Sequence, residues 1–136
     1  MKAIIKSNPL LPLTLTSIIA DKVEDPILMD LRSFKTILDD VLIICTCKSE
    51  AQMRTVLNHL KKSLSKAGEK QIYMDYSPGD KWGILSCSAY VIHLFEKKTR
   101  EYYSLEKLWG EDYVFEINPD DYIKEIKKTE DEHEFI

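Results

Sequence analysis

The chain has 136 residues, 44% hydrophobic and 31% charged, which suits one soluble domain with a core of its own. No apolar run approaches the roughly 20 residues of a membrane span, and no leader-like apolar stretch follows the N-terminus, so a cytoplasmic protein is expected. The net charge of −4 divides unevenly, +3 over residues 1–110 and −7 over 111–136, and a body this weakly basic argues against direct, sequence-specific nucleic-acid binding as its main task.

Taken in chain order, Leu15, Ile18, Ile19 and Val23 have helical spacing and predict a helix over Leu13 to Val23. Thr14 or Thr16 is available as its cap, and Asp25-Pro26 as its stop. Ile27 to Leu31 reads as a short strand. Val41 to Thr46, VLIICT, is a continuous apolar run that suits a central strand covered on both faces. Ser49 and Gln52 have capping-box spacing. Met53, Val56, Leu57, Leu60, Leu64 and Ala67 then form the apolar stripe of a helix that Gly68 ends, with Lys61, Lys62 and Lys66 on its solvated side.

Ile72 to Tyr76 is a third strand candidate, followed by a Ser77-Pro78-Gly79-Asp80 turn. Trp82 to Cys87 and Tyr90 to Phe95 are a fourth and fifth strand joined by a tight reversal near Ser88. Alternation puts Val91, His93 and Phe95 on one face and Tyr90, Ile92 and Leu94 on the other. Lys97 to Trp109 reads as one helix with Tyr102, Leu105 and Trp109 in register and Gly110 as its stop. The expected fold is a single α/β domain over residues 1–110, with a mixed five-stranded sheet flanked by helices in the order α-β-β-α-β-β-β-α. Residues 111–136 form an acidic C-terminal tail, read either as a solvated end or as an arm that shields a basic partner surface.

Catalytic and metal chemistry finds little support. Asp39-Asp40 are adjacent, so on a strand they point to opposite faces. Cys45 and Cys47 share a strand face but have no second Cys/His pair, and the three cysteines read as reduced core thiols. His93 on an apolar strand fits a satisfied sheet residue. No nucleophile stands beside a base, and no glycine-rich phosphate loop is present. The reading is therefore of a non-enzymatic protein with no cofactor and no metal. Two rivals stay open: a nucleotidyltransferase-type, Mg-dependent enzyme with Asp30 and Asp40 as ligands, and an RNA-binding module using Lys61, Lys62 and Lys66.

The ordered segments resemble the Iojap-like ribosomal silencing factor family over about residues 15–110. They are Asp30-Leu31-Arg32, Asp40 before VLIICT, Thr46 with Ser49 and Arg54, then Tyr76 and Trp82, then Val91-Ile92-His93-Leu94-Phe95, and finally Arg100-Glu101-Tyr102-Tyr103-Ser104-Leu105-Glu106-Lys107-Leu108-Trp109. Departures fall at Val41, at Cys47 and at Ser86 to Ala89, where the family pattern has an aromatic, a glycine and an Asp-Tyr-Gly-Asp reversal. The resemblance implies a nucleotidyltransferase-like fold without catalytic activity. It also implies binding to the large ribosomal subunit through its protein uL-fourteen, which sterically keeps the small subunit from joining and so represses translation. On that surface Tyr76, Trp82 and Ile84 would be anchors, and His93, Glu96, Arg100 and Tyr103 polar contacts, with Trp82 equally suited to a core position. An exposed partner surface of this kind also lends itself to a homodimer.

Overall fold

The computed structural model describes residues 8–32 and 41–122. Asp39, Asp40 and most of the acidic tail therefore lie outside the described residues. At the centre stands β2 (Val41–Cys47), buried at all seven positions as its unbroken apolar run predicts. It pairs in parallel with β5 (Tyr90–Glu96), from Val41↔Tyr90 to Cys47↔Glu96, and antiparallel with β1 (Glu24–Asp30). Beyond β5 come β4 (Trp82–Ser86) and the short edge strand β3 (Tyr73–Asp75), both antiparallel to their neighbours.

Among the described residues the sheet has six strands, not the five expected, in the order β3-β4-β5-β2-β1-β6. The sixth, β6 (Val114–Glu116), pairs antiparallel with β1 from Ile27↔Glu116 to Met29↔Val114. Three residues at the head of an acidic stretch carry no alternation long enough to read, so this strand exists through its tertiary pairing. Ile117 follows it into the core at 5% exposure.

Helix α1 (Leu11–Ala20) begins two residues earlier than its apolar spacing suggests, because Pro12 supplies a preset φ in the first turn. Among the described residues no side chain caps it. Thr14 instead points inward, its hydroxyl 2.6 Å from that of Tyr90. The Asp25-Pro26 pair does not stop this helix. It lies inside β1, where the register shifts between Glu24 and Ile27, a bulge position that tolerates a residue with no N–H. The helix ends earlier, with Lys22 at φ 59° and the carbonyls of Asp21 and Lys22 accepting from Gln52 Nε2 at 3.0 and 3.1 Å.

Helix α2 (Glu50–Lys66) starts where the Ser-x-x-Gln spacing places it: Ser49 Oγ accepts from the Gln52 amide at 3.0 Å. Gln52 Oε1 reaches back to the Lys48 amide, one residue beyond the usual capping-box partner. Gly68, at φ +99°, closes a Schellman motif in which Glu69 N donates to Leu64 O at 2.9 Å and Gly68 N to Ser65 O at 3.1 Å.

Among the described residues, the two faces of the sheet are covered unequally. Leu28, Ile43, Cys45, Leu85, Ile92 and Leu94 meet Leu15, Ile18, Val56, Leu57 and Leu60 of α1 and α2 in one large cluster. The opposite face holds Ile27, Met29, Leu42, Ile44, Val91 and Phe95, covered by half-buried side chains such as Trp82, Ile84, Leu105, Trp109 and Tyr113.

The expected single helix over Lys97 to Trp109 is two, α3 (Lys97–Tyr103) and α4 (Leu105–Trp109), broken at Ser104 with φ 43° and ψ 57°. Serine holds this conformation with its hydroxyl donating to Glu101 O at 2.6 Å. The elbow turns Leu105 and Trp109 down onto the second face. Tyr102, expected in the same stripe, points away and is 82% exposed. Gly110 ends α4 at φ +105°.

Candidate protein-binding surface

The β4–β5 register sets Trp82 opposite Phe95 and Ile84 opposite His93 on the thinly covered face. Trp82 lies half-buried with its ring on Phe95, centroids 4.7 Å apart at 29°. Its indole N–H donates to His93 Nδ1 at 3.1 Å. Tyr103 leans against Trp82 at 4.8 Å, and Tyr102 meets Tyr103 edge-on at 5.1 Å and 85°, a favoured aromatic geometry. Trp82, Ile84, Tyr102 and Tyr103 line an open groove of about 750 Å³, with Lys81, Lys98, Asp80 and Glu96 around it. An aromatic floor with a mixed-charge rim has the composition of a protein interface.

Of the residues singled out in the sequence, Trp82, Ile84, His93, Glu96 and Tyr103 come together here. Tyr76 does not join them. It packs with the α2 side of the sheet, its hydroxyl 3.4 Å from Glu50 Oε1. Arg100 is turned inward. Its Nη1 donates to Asp25 O at 2.8 Å and Thr46 Oγ1 at 2.9 Å, and its Nε to Glu106 Oε1 at 3.2 Å. Tyr102 and Lys98 belong to the groove but were not read from the sequence. The available signal was the adjacent pair Tyr102-Tyr103, which cannot both face inward on one helix.

His93 is perturbed by burial, which pushes its pKa down to about 4. A lowered pKa means that the fold favours the neutral ring. This contribution is complete above the unfolded value near 6.5 and is lost as pH falls toward 4. Between pH 8 and pH 5 the wild-type chain is expected to lose about 2 kcal/mol of unfolding free energy that His93→Gln does not lose. Urea melts of both proteins at the two pH values check this, and parallel losses would contradict it.

Other candidate chemistry is occupied or masked by burial. Cys45 and Cys47 sit on the α1–α2 side of β2 as free thiols, and desolvation raises both, Cys47 to about 12. Neutral thiols of this kind are poor nucleophiles and poor metal ligands. Asp30 is held by Arg32 in two hydrogen bonds, Nε–Oδ1 at 2.8 Å and Nη2–Oδ2 at 3.0 Å, and that pairing lowers its pKa. Among the described residues no group of three or more His, Cys, Asp or Glu is placed to hold a metal ion, and no helix is long and apolar enough to cross a membrane. Lys61, Lys62 and Lys66 lie exposed on α2, across the sheet from the groove.

Comparison with known proteins gives a consistent picture. The family described as "Ribosomal silencing factor during starvation" matches residues 6–135. A ribosomal silencing factor, RsfS, of Halalkalibacterium halodurans is 27% identical over 82% of this chain and 94% of its own length. The RsfS of Bacillus subtilis is 28% identical over 66% of this chain and 75% of its own length. A crystal structure from Bacillus halodurans superposes with a TM-score of 0.67 at 27% identity, covering 80% of this chain and 98% of that one. A Chromobacterium violaceum structure, 24% identical, shares the fold with a TM-score of 0.66 over 78% of this chain and 86% of its own. With a match running nearly from end to end, the chain belongs to the ribosomal silencing factor family.

Proposed function

We propose that this protein associates with the large ribosomal subunit and represses translation by sterically preventing the small subunit from joining. The partner is the large-subunit protein uL-fourteen, and the contact surface is the groove of Trp82, Ile84, Tyr102 and Tyr103. Family membership supports the ribosomal role. The observation that supports this surface over others is the thin cover of one sheet face, where Tyr102 is 82% exposed and Tyr103 49% exposed beside a half-buried tryptophan. Large aromatics displayed to water cost solvation free energy unless a partner covers them, and interfaces draw much of their affinity from such anchors. The action needs no reaction at the site, only occupancy of a joining surface. A regulatory protein of this type has no need of the paired carboxylates or the activated nucleophile that an enzyme requires.

Co-sedimentation with purified large subunits tests the surface. Tyr102→Ala touches no core residue, so its stability is expected to stay within about 0.5 kcal/mol of wild type. Its affinity for the large subunit is expected to fall about tenfold or more. Lys61→Ala, on the opposite side of the sheet, is expected to bind as wild type. Equal weakening by both substitutions would move the contact away from the groove.

A further inference from the structure

The Trp82–His93 hydrogen bond fixes more than the position of two rings. An indole N–H can only donate, so His93 Nδ1, 3.1 Å away, must present its lone pair. The neutral imidazole has one proton, which then sits on Nε2. Among the described residues no hydrogen bond reaches Nε2 of His93, and no buried side-chain nitrogen or oxygen lacks a partner. Nε2 is therefore not fully sealed from solvent by the described residues.

Its surroundings are apolar. The His93 ring stacks on Phe95 at 6.2 Å and 13°, lies 5.8 Å from Trp82, and is flanked across the strands by Ile84 and Ile44. A partner that covers this face strips water from Nε2–H. It must replace that water with an acceptor or leave a donor unpaired in a dry interface. The charge of that acceptor is also constrained. A carboxylate or phosphate binds a histidine best as imidazolium, and the imidazolium needs a second proton on Nδ1, where it would face the indole N–H head-on. Trp82 thus works against the charged form, and the site suits a neutral oxygen.

We infer that Trp82 holds His93 as a neutral Nε2–H donor, and that the protein partner of this surface offers it a neutral amide carbonyl, from its backbone or from an Asn or Gln. This rests on the groove face being the binding surface, as proposed above. It sets the surface apart from one built for nucleic-acid phosphate, which calls for cations or charge-assisted donors.

Two measurements test it. The first is the imidazole ¹⁵N spectrum of the full chain at neutral pH, where His93 is expected to show a protonated Nε2 and a bare Nδ1. Trp82→Phe keeps the ring stack and removes the donor, so a mixture of tautomers is expected there. The second is affinity for purified large subunits. His93→Phe keeps the stacking and loses the N–H, and binding is expected to weaken about ten- to a hundredfold as the partner's oxygen goes unpaired. His93→Gln places an amide N–H near the same spot and is expected to stay within about threefold of wild type.

An Nδ1–H tautomer or a cationic ring in the wild-type spectrum would overturn the inference. So would His93→Phe binding as well as wild type, or His93→Lys outperforming His93→Gln, which would mark a charged acceptor such as a phosphate. In each of those binding results the wild type still engages the large subunit, and the silencing reading stands. If wild type does not bind large subunits, that reading fails and takes this one with it.

Discussion

Phe95→Ala is expected to lower the unfolding free energy by about 3–5 kcal/mol, the largest single-residue effect the structure points to. Phe95 is 1% exposed and sits in the cluster on the thinly covered sheet face. Two effects add in the deletion. The apolar ring loses its burial, and the space it leaves cannot collapse, because the β2 and β4 backbones on either side, at Thr46 and Trp82, are held by strand pairing. The damage also reaches the surface. Trp82 rests on Phe95 at 4.7 Å, and without that support its ring and the Tyr103 ring leaning on it lose their seat. Binding should therefore fall even in the fraction that stays folded. Phe95→Leu keeps most of the volume and is expected to cost less, about 1–2 kcal/mol. Urea unfolding followed by tryptophan fluorescence measures both. A loss below about 1 kcal/mol for the alanine variant would mean that this face is not a packed core.

Arg100→Ala ranks second, with an expected cost of about 2–4 kcal/mol. Its side chain is 14% exposed and joins three elements: it donates to Asp25 O in β1, to Thr46 Oγ1 in β2 and to the Glu106 carboxylate in α4. Truncation leaves a carboxylate that is only 22% exposed without its cation, together with a carbonyl and a hydroxyl that lose their donor. The guanidinium fork is what lets one residue reach all three, so Arg100→Lys is expected to recover less than half of the loss. Hydrogen exchange should locate the effect in residues 97–109, because the elbow at Ser104 hangs on this residue. A lysine variant as stable as wild type would show that charge alone suffices.

The reading of Arg100 shows where the sequence was legible and where it was not. Its place in the Arg-Glu-x-Tyr segment marked it as important, and the resemblance suggested a polar contact with a partner. The structure gives it internal acceptors that lie 75 and 54 residues away in the chain, distances no local pattern encodes. The placement of Tyr76 was likewise not legible. It lies just past the end of β3, whose pairing with β4 stops at Asp75, and it packs on the α2 side of the sheet. The sheet face of His93 was legible, because period-two alternation along β5 is a local property and β5 pairs on both sides without a bulge.

Local chemistry carried the elements it controls. The Ser49 cap, the Gly68 and Gly110 stops, the Ser77–Asp80 turn and the buried β2 run all follow from side-chain size, φ preference and donor inventory within a few residues. Elements set by tertiary pairing were missed or misplaced. Strand β6 owes its existence to β1, and the start of β1 owes its position to a bulge around Pro26. The break at Ser104 hid inside a sequence that reads as continuous helix, since serine is neither a strong breaker nor a common left-handed residue. That one angle moved Tyr102 from an expected core position to the rim of the groove, and so altered the candidate site more than any other departure.

Under the proposed function, occupancy of the large subunit excludes the small one. The direct measurement is subunit joining by light scattering, with purified large subunits preloaded with this protein, followed by sedimentation to ask where the protein travels. Fewer joined ribosomes are expected in proportion to the large subunits occupied, with a weaker effect for Tyr102→Ala and protein only in the large-subunit fraction. Protein carried along on fully joined ribosomes would contradict the proposed function, because a steric block cannot share the surface with the partner it excludes.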